Sequence, residues 1–423
     1  MTTATAQQRV TTTSVTRSRI TGLLLLATGL VIFVLFGMNL EPGQQANFGL
    51  NPGYASQAIP IPDLVLPVQT TMYVLILITL FLGGWQLARG FRSTGLVIGI
   101  VAFCFIVAFL LWATGGKSFN LVGMLSSSLV RATPIALAAL CGVISERCAV
   151  INIGIEGIML MSAESAVVVA TLTRNLYMGL LAAILTGAIL AGIHAVLAIQ
   201  FKVDQIISGV AINIFAAGAT SFISARFLEK NTDLLNNSGT FPIVPIPLLS
   251  KIPLLGPIFF ENGPIVYLMF TLVVAIHVLL FYTPWGLRTR AVGEHPRAAD
   301  TLGINVYLVR YVNVILGGMI AGIGGAYFSI GSVGRFDEIM TAGKGFIGLA
   351  AIVFGNWNPF GAFASSLIFG FADSLQIKLQ ILRVPIPSEF LLMAPYLVTM
   401  IVLAGVVGRA IPPAADGQAY EKQ

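Results

Sequence analysis

Apolar stretches about twenty residues long follow one another along almost the whole chain, and that length is what a helix needs to cross roughly 30 Å of hydrocarbon. They read as spans at 20–40, 66–87, 95–114, 121–144, 151–172, 177–200, 206–227, Pro264–Tyr282, 306–330 and 390–407. Two shorter pieces, 346–354 and 362–375, flank Gly355-Asn356-Trp357-Asn358-Pro359 and form either two tilted spans or one re-entrant hairpin. The expected fold is an all-α polytopic membrane protein of about 10–12 transmembrane helices. Only 9% of the 423 residues are charged, where a soluble domain carries about 25%, so a soluble enzyme is excluded. The first run is too long for a secretory h-region of about 7–15 residues and is read as a retained span.

Basic residues near spans set orientation. The tail before the first span, the Arg89 to Arg92 turn and the 284–310 segment concentrate Lys and Arg on one side, which places both termini in the cytoplasm. A formal net charge of +6 does not indicate nucleic acid, because no basic cluster alternates with aromatics. Cys104, Cys141 and Cys148 sit in or beside apolar segments and read as small packing residues. Two longer segments, 41–66 and 228–263, fall outside the membrane. The second contains Pro242, Pro245, Pro247, Pro253 and Pro257, which fragment any helix, and its exposed apolar residues suit a membrane surface or a partner. Asn236-Asn237-Ser238 within it matches a glycosylation acceptor, a pattern short enough to arise by chance.

No constellation specifies covalent chemistry. Gly115-Gly116-Lys117-Ser118 resembles the end of a phosphate-binding loop, but Leu111 stands where that loop needs its first glycine. His194, His277 and His295 are too scattered for a metal site. A multi-span chain without catalytic groups moves a solute, and polar residues inside spans become path candidates. Asn152 and Glu156, four residues apart, would share a helix face, with Glu164 two turns on; Asn213 with Gly209 makes a second polar face. The competing reading makes Glu156 a cap on a broken helix or the partner of Arg131, and makes Asp373 structural. Gly318-x-x-x-Gly322 and Gly317-x-x-x-Ala321-x-x-x-Gly325 read as packing ridges.

Within 284–305, Pro296 suits the first position of a helix and Gly303 its terminator, giving about two turns. Ala298 and Ala299 leave a shallow surface suited to a groove in another protein.

The run Gly293-Glu294-His295-Pro296-Arg297-Ala298-Ala299 to Gly303-Ile304 resembles the coupling segment of ABC importer permeases of the ribose and branched-chain amino acid permease family. Asn152-Ile153-Gly154-Ile155-Glu156-Gly157-Ile158-Met159-Leu160 and Phe354-Gly355-Asn356-Trp357-Asn358-Pro359 are similar to its nucleoside and simple-sugar branch, although Glu146-Arg147-Cys148-Ala149 departs from the Glu-Arg-Ser-Gly of that branch. The resemblance covers about 120–409. Spans and charge placement set a cytoplasmic tail at 1–19, N-terminal helices at 20–119 and a cytoplasmic tail at 410–423 around them, and the resemblance implies a permease core at 120–409 with its coupling segment at 284–305.

It further implies a plasma-membrane permease that is not an enzyme. This chain would bind no cofactor, because ATP is hydrolysed by a partner ABC ATPase, and an extracytoplasmic solute-binding protein delivers the solute. A second permease subunit, identical or related, completes the path in membrane lipid, and nucleic acid is not a partner. Candidate path residues are then Asn152, Glu156 and Asn213, and candidate coupling residues are Gly293, Glu294, Pro296, Ala298, Ala299 and Gly303. Nucleosides come first as solute and simple sugars second. The alternative is an ion-coupled secondary transporter in which Glu156 and Glu164 carry protons; an intramembrane enzyme ranks last.

Overall fold

The computed structural model describes residues 18–38, 40–51, 61–384, 386–387, 390, 393 and 410–422. The expected span at 390–407 and most of the 1–19 tail lie outside the described residues. Among these, ten helices are long and apolar enough to cross a membrane: α1 (Ser18–Gly37), α2 (Val68–Ala88), α3 (Thr94–Ala113), α4 (Leu121–Glu146), α5 (Ile155–Thr173), α6 (Leu176–Gln200), α7 (Gln205–Leu228), α10 (Pro264–Tyr282), α13 (Val306–Val333) and α15 (Pro359–Ile381). Shorter helices are α8 (Thr232–Leu235), α9 (Leu255–Phe259), α11 (Pro284–Glu294), α12 (Pro296–Thr301) and α14 (Lys344–Phe354). The fold is the all-α polytopic one expected. It divides into two compact units, one holding the described residues up to Gly123 with Lys378–Ile386, the other Met124–Ile377 with the described residues from Pro387 on.

The first unit holds α1, α2 and α3 and a small sheet of β1 (Gln45–Gly49), β2 (Leu64–Pro67) and β3 (Ser118–Asn120) in the order β2-β1-β3. Phe48 of β1 faces Leu64 across an antiparallel pair and Phe119 across a parallel pair. The two phenylalanines are buried with ring centroids 6.1 Å apart, which anchors strands this short. The Gly-Gly-Lys-Ser run is the turn into β3. Gly116 adopts φ +69° and its N–H donates to Gln45 O at 2.9 Å, while Lys117 Nζ donates to Leu382 O at 2.7 Å. Its backbone and its lysine are thus committed to other parts of the same unit.

In the second unit burial sorts the helices. α4 is 83% buried, α5 67% and α13 61%, against 33% for α6 and α10 and 28% for α7. The inner three build the core and the outer three turn apolar residues such as Leu185, Ile214 and Val274 toward lipid. The small-residue ridges of α13 seat it against three neighbours. A Cβ on Gly318 would lie 2.2 Å from Ala191 Cβ and 2.4 Å from Gly187 O of α6; one on Gly317 would meet Cys141 O of α4 at 2.8 Å, and one on Gly325 would meet Met159 O of α5 at 2.2 Å. Such approaches supply the van der Waals contact that holds helices together in lipid.

The 346–354 and 362–375 pieces differ in kind. α14 has 11 residues, about 16 Å at the helical rise and half the hydrocarbon thickness. α15 has 23 residues and crosses fully. Its apolar run reads short because Asn358 precedes it and Gln376 and Lys378 follow Leu375, all beside or within the helix; Ser365 and Ser366 inside the run bond back to Gly361 O and Ala362 O of their own helix, at 2.9 and 2.7 Å.

The 228–263 segment holds the single turns α8 and α9 and a pair of two-residue strands, β4 (Val244–Pro245) and β5 (Glu261–Asn262), with Leu248 80% exposed. Asn236 is buried there, its side chain donating to Phe336 O and accepting from Phe336 N, so the acceptor asparagine of the glycosylation pattern is a structural clamp.

Candidate functional site

α4 ends at Glu146 in a left-handed cap. Ala149 adopts φ +67°, and Val150 N–H reaches back to Ser145 O at 3.1 Å. A glycine suits that conformation better, which gives a physical reason for the glycine of the Glu-Arg-Ser-Gly pattern. Burial pushes the neighbouring Cys148 thiol up to about 12, consistent with a packing role. The following irregular stretch is pinned by Gln205, whose Oε1 accepts from Ile151 N at 2.7 Å, and by His194 Nε2, 2.9 Å from Ile151 O.

α5 therefore starts at Ile155, four residues later than expected, and Asn152 lies in the preceding turn. Asn152 and Glu156 do not share a helix face. Asn152 is buried with Nδ2 3.9 Å from Cys141 Sγ and its Oδ1 without a hydrogen-bond partner. Asn213 of α7 serves the new helix start, its Oδ1 accepting from Gly157 N at 2.8 Å and its Nδ2 donating to Ile153 O at 3.0 Å. One of the orphan donors of α5's first turn is satisfied in this way.

Glu156 is buried, and both carboxylate oxygens are engaged. Oε1 accepts from Thr341 Oγ1 at 2.6 Å and Gly343 N at 2.8 Å, and Oε2 accepts from Gly345 N at 2.7 Å. The carboxylate thus caps the N-terminus of α14, where free N–H groups and the helix dipole favour an anion. Arg131 does not pair with it. Arg131 Nη1 lies 3.2 Å from Asp373 Oδ2, and Lys344 Nζ lies 3.0 Å from the same oxygen.

Asp373 thereby ties α4, α14 and α15 together at a point carrying two cations and one anion, and the Arg131 side chain remains 38% exposed within its span. Sequence reasoning noted Arg131 and Asp373 separately and missed Lys344, because the three are joined only by tertiary packing. Glu164 and Ser162 of α5 are also buried, with Glu164 Oε1 and Ser162 Oγ unpartnered. Two helices that start inside the bundle and meet at a carboxylate form a broken-helix arrangement, which membrane proteins tolerate inside protein or along a cavity.

At the Glu146 end of the bundle, Trp357 Nε1 donates to Glu146 Oε2 and Arg147 Nε donates to Trp357 O at 2.8 Å, which clamps the turn between α14 and α15. α11 begins at Pro284 under a Thr283 cap and is fixed to α13 by Asn313, which accepts from Trp285 Nε1 at 3.1 Å and donates to Thr289 Oγ1 at 3.0 Å. α12 begins at Pro296 under a His295 cap, and Gly303 follows it at φ +84°. The expected short helix is present, preceded by α11, which was not foreseen as a separate helix. Of the six candidate coupling residues, Glu294, Ala298 and Gly303 are exposed and Pro296 is half-buried, whereas Gly293 and Ala299 are buried and attach the segment to the bundle.

Residues 410–422 fold back onto this segment as a strap. Ile411 N donates to Asn356 Oδ1 at 3.1 Å, Ala414 N to Glu294 Oε2 at 3.3 Å and Ala415 N to Gly293 O at 3.0 Å. Arg310 Nη1 donates to Gln418 O at 3.0 Å, Tyr420 packs on Tyr307, and Glu421 pairs with Lys202.

Burial raises the Asp416 carboxyl of the strap from 3.8 to about 6 against the pull of the Gly417 backbone and Arg310; Glu146 faces it from α4. A raised carboxyl favours the docked strap when protonated, so its contribution is complete below the unfolded value and is lost as pH rises through about 6. Amide exchange of the strap, corrected for intrinsic rates, should show protection falling across that window, and Asp416→Asn should flatten the slope. An unchanged slope in the variant would assign it elsewhere.

Comparison with known proteins places these features in context. The family model described as "Branched-chain amino acid transport system / permease component" matches residues 124–409. The guanosine ABC transporter permease protein NupQ of Bacillus subtilis is 44% identical over 314 residues, covering 70% of this chain and 95% of that protein. The nucleoside ABC transporter permease protein NupC of Lactococcus lactis is 40% identical over 310 residues, covering 71% and 96%. The putative glucose ABC transporter permease protein TsgC13 of Haloferax volcanii is 37% identical over 258 residues, covering 61% and 78%. No solved structure matches the chain.

Proposed function

Because the chain belongs to the permease-component family of branched-chain amino acid transport systems, we propose that its solute is a nucleoside, with a simple sugar as the second class. It is a multi-pass plasma-membrane permease subunit of an ABC transporter and not itself an enzyme. The observation that carries the solute reading is the nucleoside or guanosine function in the names of two relatives at 44% and 40% identity that it matches over 95% and 96% of their lengths.

In this reading a cytoplasmic ATPase supplies the energy, a solute-binding protein delivers the nucleoside, and a second permease subunit completes the path. α11, α12 and the strap face the cytoplasm, as the Lys and Arg of 284–310 favour. The path runs beside the α5–α14 break, past Asn152, Glu156, Asn213 and the Arg131–Asp373–Lys344 cluster. Asn152 Oδ1 and Glu164 Oε1, buried without partners, are acceptors available to hydroxyl or amino groups of a passing solute. Family membership disfavours the ion-coupled alternative.

The test is ATP-dependent uptake by the complete complex in proteoliposomes. Labelled guanosine should enter, competed by other nucleosides and not by glucose, and Ala298→Arg should lower the rate about tenfold or more by forcing a charge into the ATPase contact. Glucose uptake indifferent to nucleosides would reassign the solute. Uptake by this chain alone on a proton gradient would remove the ATPase.

A further inference from the structure

The coupling helix α12 is only six residues long, about 9 Å at the helical rise, and one of its two shallow alanines is turned inward, with Ala299 2% exposed. A stable protein–protein contact buries roughly 800 Å² on each partner, far more than so short a helix can present. The strap supplies the missing surface. Between it and α12 runs a groove of about 650 Å³, walled on one side by His295 and Arg297 and on the other by Gln418, Ala419 and Tyr420.

The strap is anchored through its own buried parts, leaving its other side free. Ala415 and Tyr420 are 4% and 5% exposed, while Gln418 and Ala419 face outward. Glu294, read from sequence as a docking residue, has a carboxylate oxygen engaged by Ala414 N of the strap. Leu302, just past the end of α12, is 83% exposed and leaves an apolar side chain on the same segment open to a partner.

We propose that α12 and the 410–422 strap form one composite docking surface, and that the cytoplasmic ATPase subunit seats a surface element in the groove between them. This rests on the reading of the chain as an ABC permease driven by a separate ATPase. The strap also touches the 355–358 turn through Asn356, α13 through Arg310 and the end of α6 through Lys202. A partner in the groove therefore pushes on several elements at once.

The experiment measures binding of the ATPase subunit of the same transporter to the purified full-length permease in detergent, with wild type, Ala298→Arg and Ala419→Trp. Ala419 is exposed and makes none of the strap's anchoring bonds, so its variant should match wild type in melting temperature and elution volume. The proposal expects Ala419→Trp to weaken ATPase binding about tenfold or more, comparably to Ala298→Arg. Loss with Ala298→Arg alone, while Ala419→Trp binds like wild type, overturns the composite surface and leaves the permease reading intact. Failure of wild type to bind, or of Ala298→Arg to weaken binding, overturns the ATPase-docking reading itself and the strap's part with it. Should Ala419→Trp melt early, Gln418→Trp on the same wall is measured in its place under the same two criteria.

Discussion

Glu156→Ala is expected to lower the thermal stability of the detergent-solubilised protein substantially and to abolish uptake. The substitution strips the acceptor from Thr341 Oγ1, Gly343 N and Gly345 N together. Each buried donor left without a partner costs about 1–3 kcal/mol. The combined effect of roughly 3–9 kcal/mol is comparable to the whole stability of many domains. Glu156→Gln keeps one acceptor oxygen and sets an NH₂ group against a donor, so its melting temperature should fall between wild type and alanine. The pair of variants also separates the two roles weighed for this residue. A glutamine variant with wild-type stability and no transport would make the carboxylate a path residue, whereas parallel loss of both properties makes it the clamp of the break. Wild-type stability in Glu156→Ala would refute the clamp.

Gly318→Leu should be at least as damaging, through a different mechanism. At the α6–α13 crossing even a methyl group would stand 2.2 Å from Ala191 Cβ, so the helices must separate or the side chain must leave its rotamer. Overpacking of this kind costs about 1–3 kcal/mol in adaptable cores and more where backbone is the obstacle. Here the obstacle includes Gly187 O at 2.4 Å. The expected result is a sharp drop in monodisperse protein on size-exclusion chromatography and a lower melting temperature. Gly192 of α6 is the control, because nothing lies within 4 Å of where a Cβ would stand; Gly192→Ala should behave like wild type. Equal behaviour of the two variants would show that the crossing is not the close contact described.

Much of the architecture was legible because membrane spans are written in local composition. Pro264–Tyr282 was read to the residue, since Pro264 occupies the first helical position and Thr283 breaks the pattern. The α15 boundaries were missed because Gln376 and Lys378 close the apolar run at Leu375 although the helix continues through them to Ile381. Asn152 was misplaced by treating the apolar run from Ile151 as helical throughout, when the left-handed turn at Ala149 and the side chains of Gln205 and His194 hold Ile151 out of the helix. Those partners are some 40 to 55 positions away, beyond any local periodicity. The β1–β3 pairing is likewise non-local.

The strap was the least legible part. It docks partly through backbone N–H groups of Ala414 and Ala415, and backbone donors leave no mark in side-chain pattern. Among the charged residues, of the two alternatives for Glu156 the helix cap agrees with the structure and the Arg131 pair does not: Arg131 joins Asp373, and so does Lys344, which sequence reasoning did not find.

The Asn313 node has a mechanical consequence. Asn313 is fully buried, and its amide bonds Trp285 and Thr289 of α11 as well as Val309 O of its own helix. Sliding α11 along α13 would break both of the bonds between the two helices at once, so that junction is stiff. His295 alone separates α11 from α12 and is bonded into both, its N–H donating to Ala291 O at 2.9 Å and its carbonyl accepting from Ala299 N at 3.0 Å. A load applied at α12 passes through these bonds into α11, and α11 and α13 move as one lever. Through the glycine contacts on α13, that lever bears directly on α6, α4 and α5.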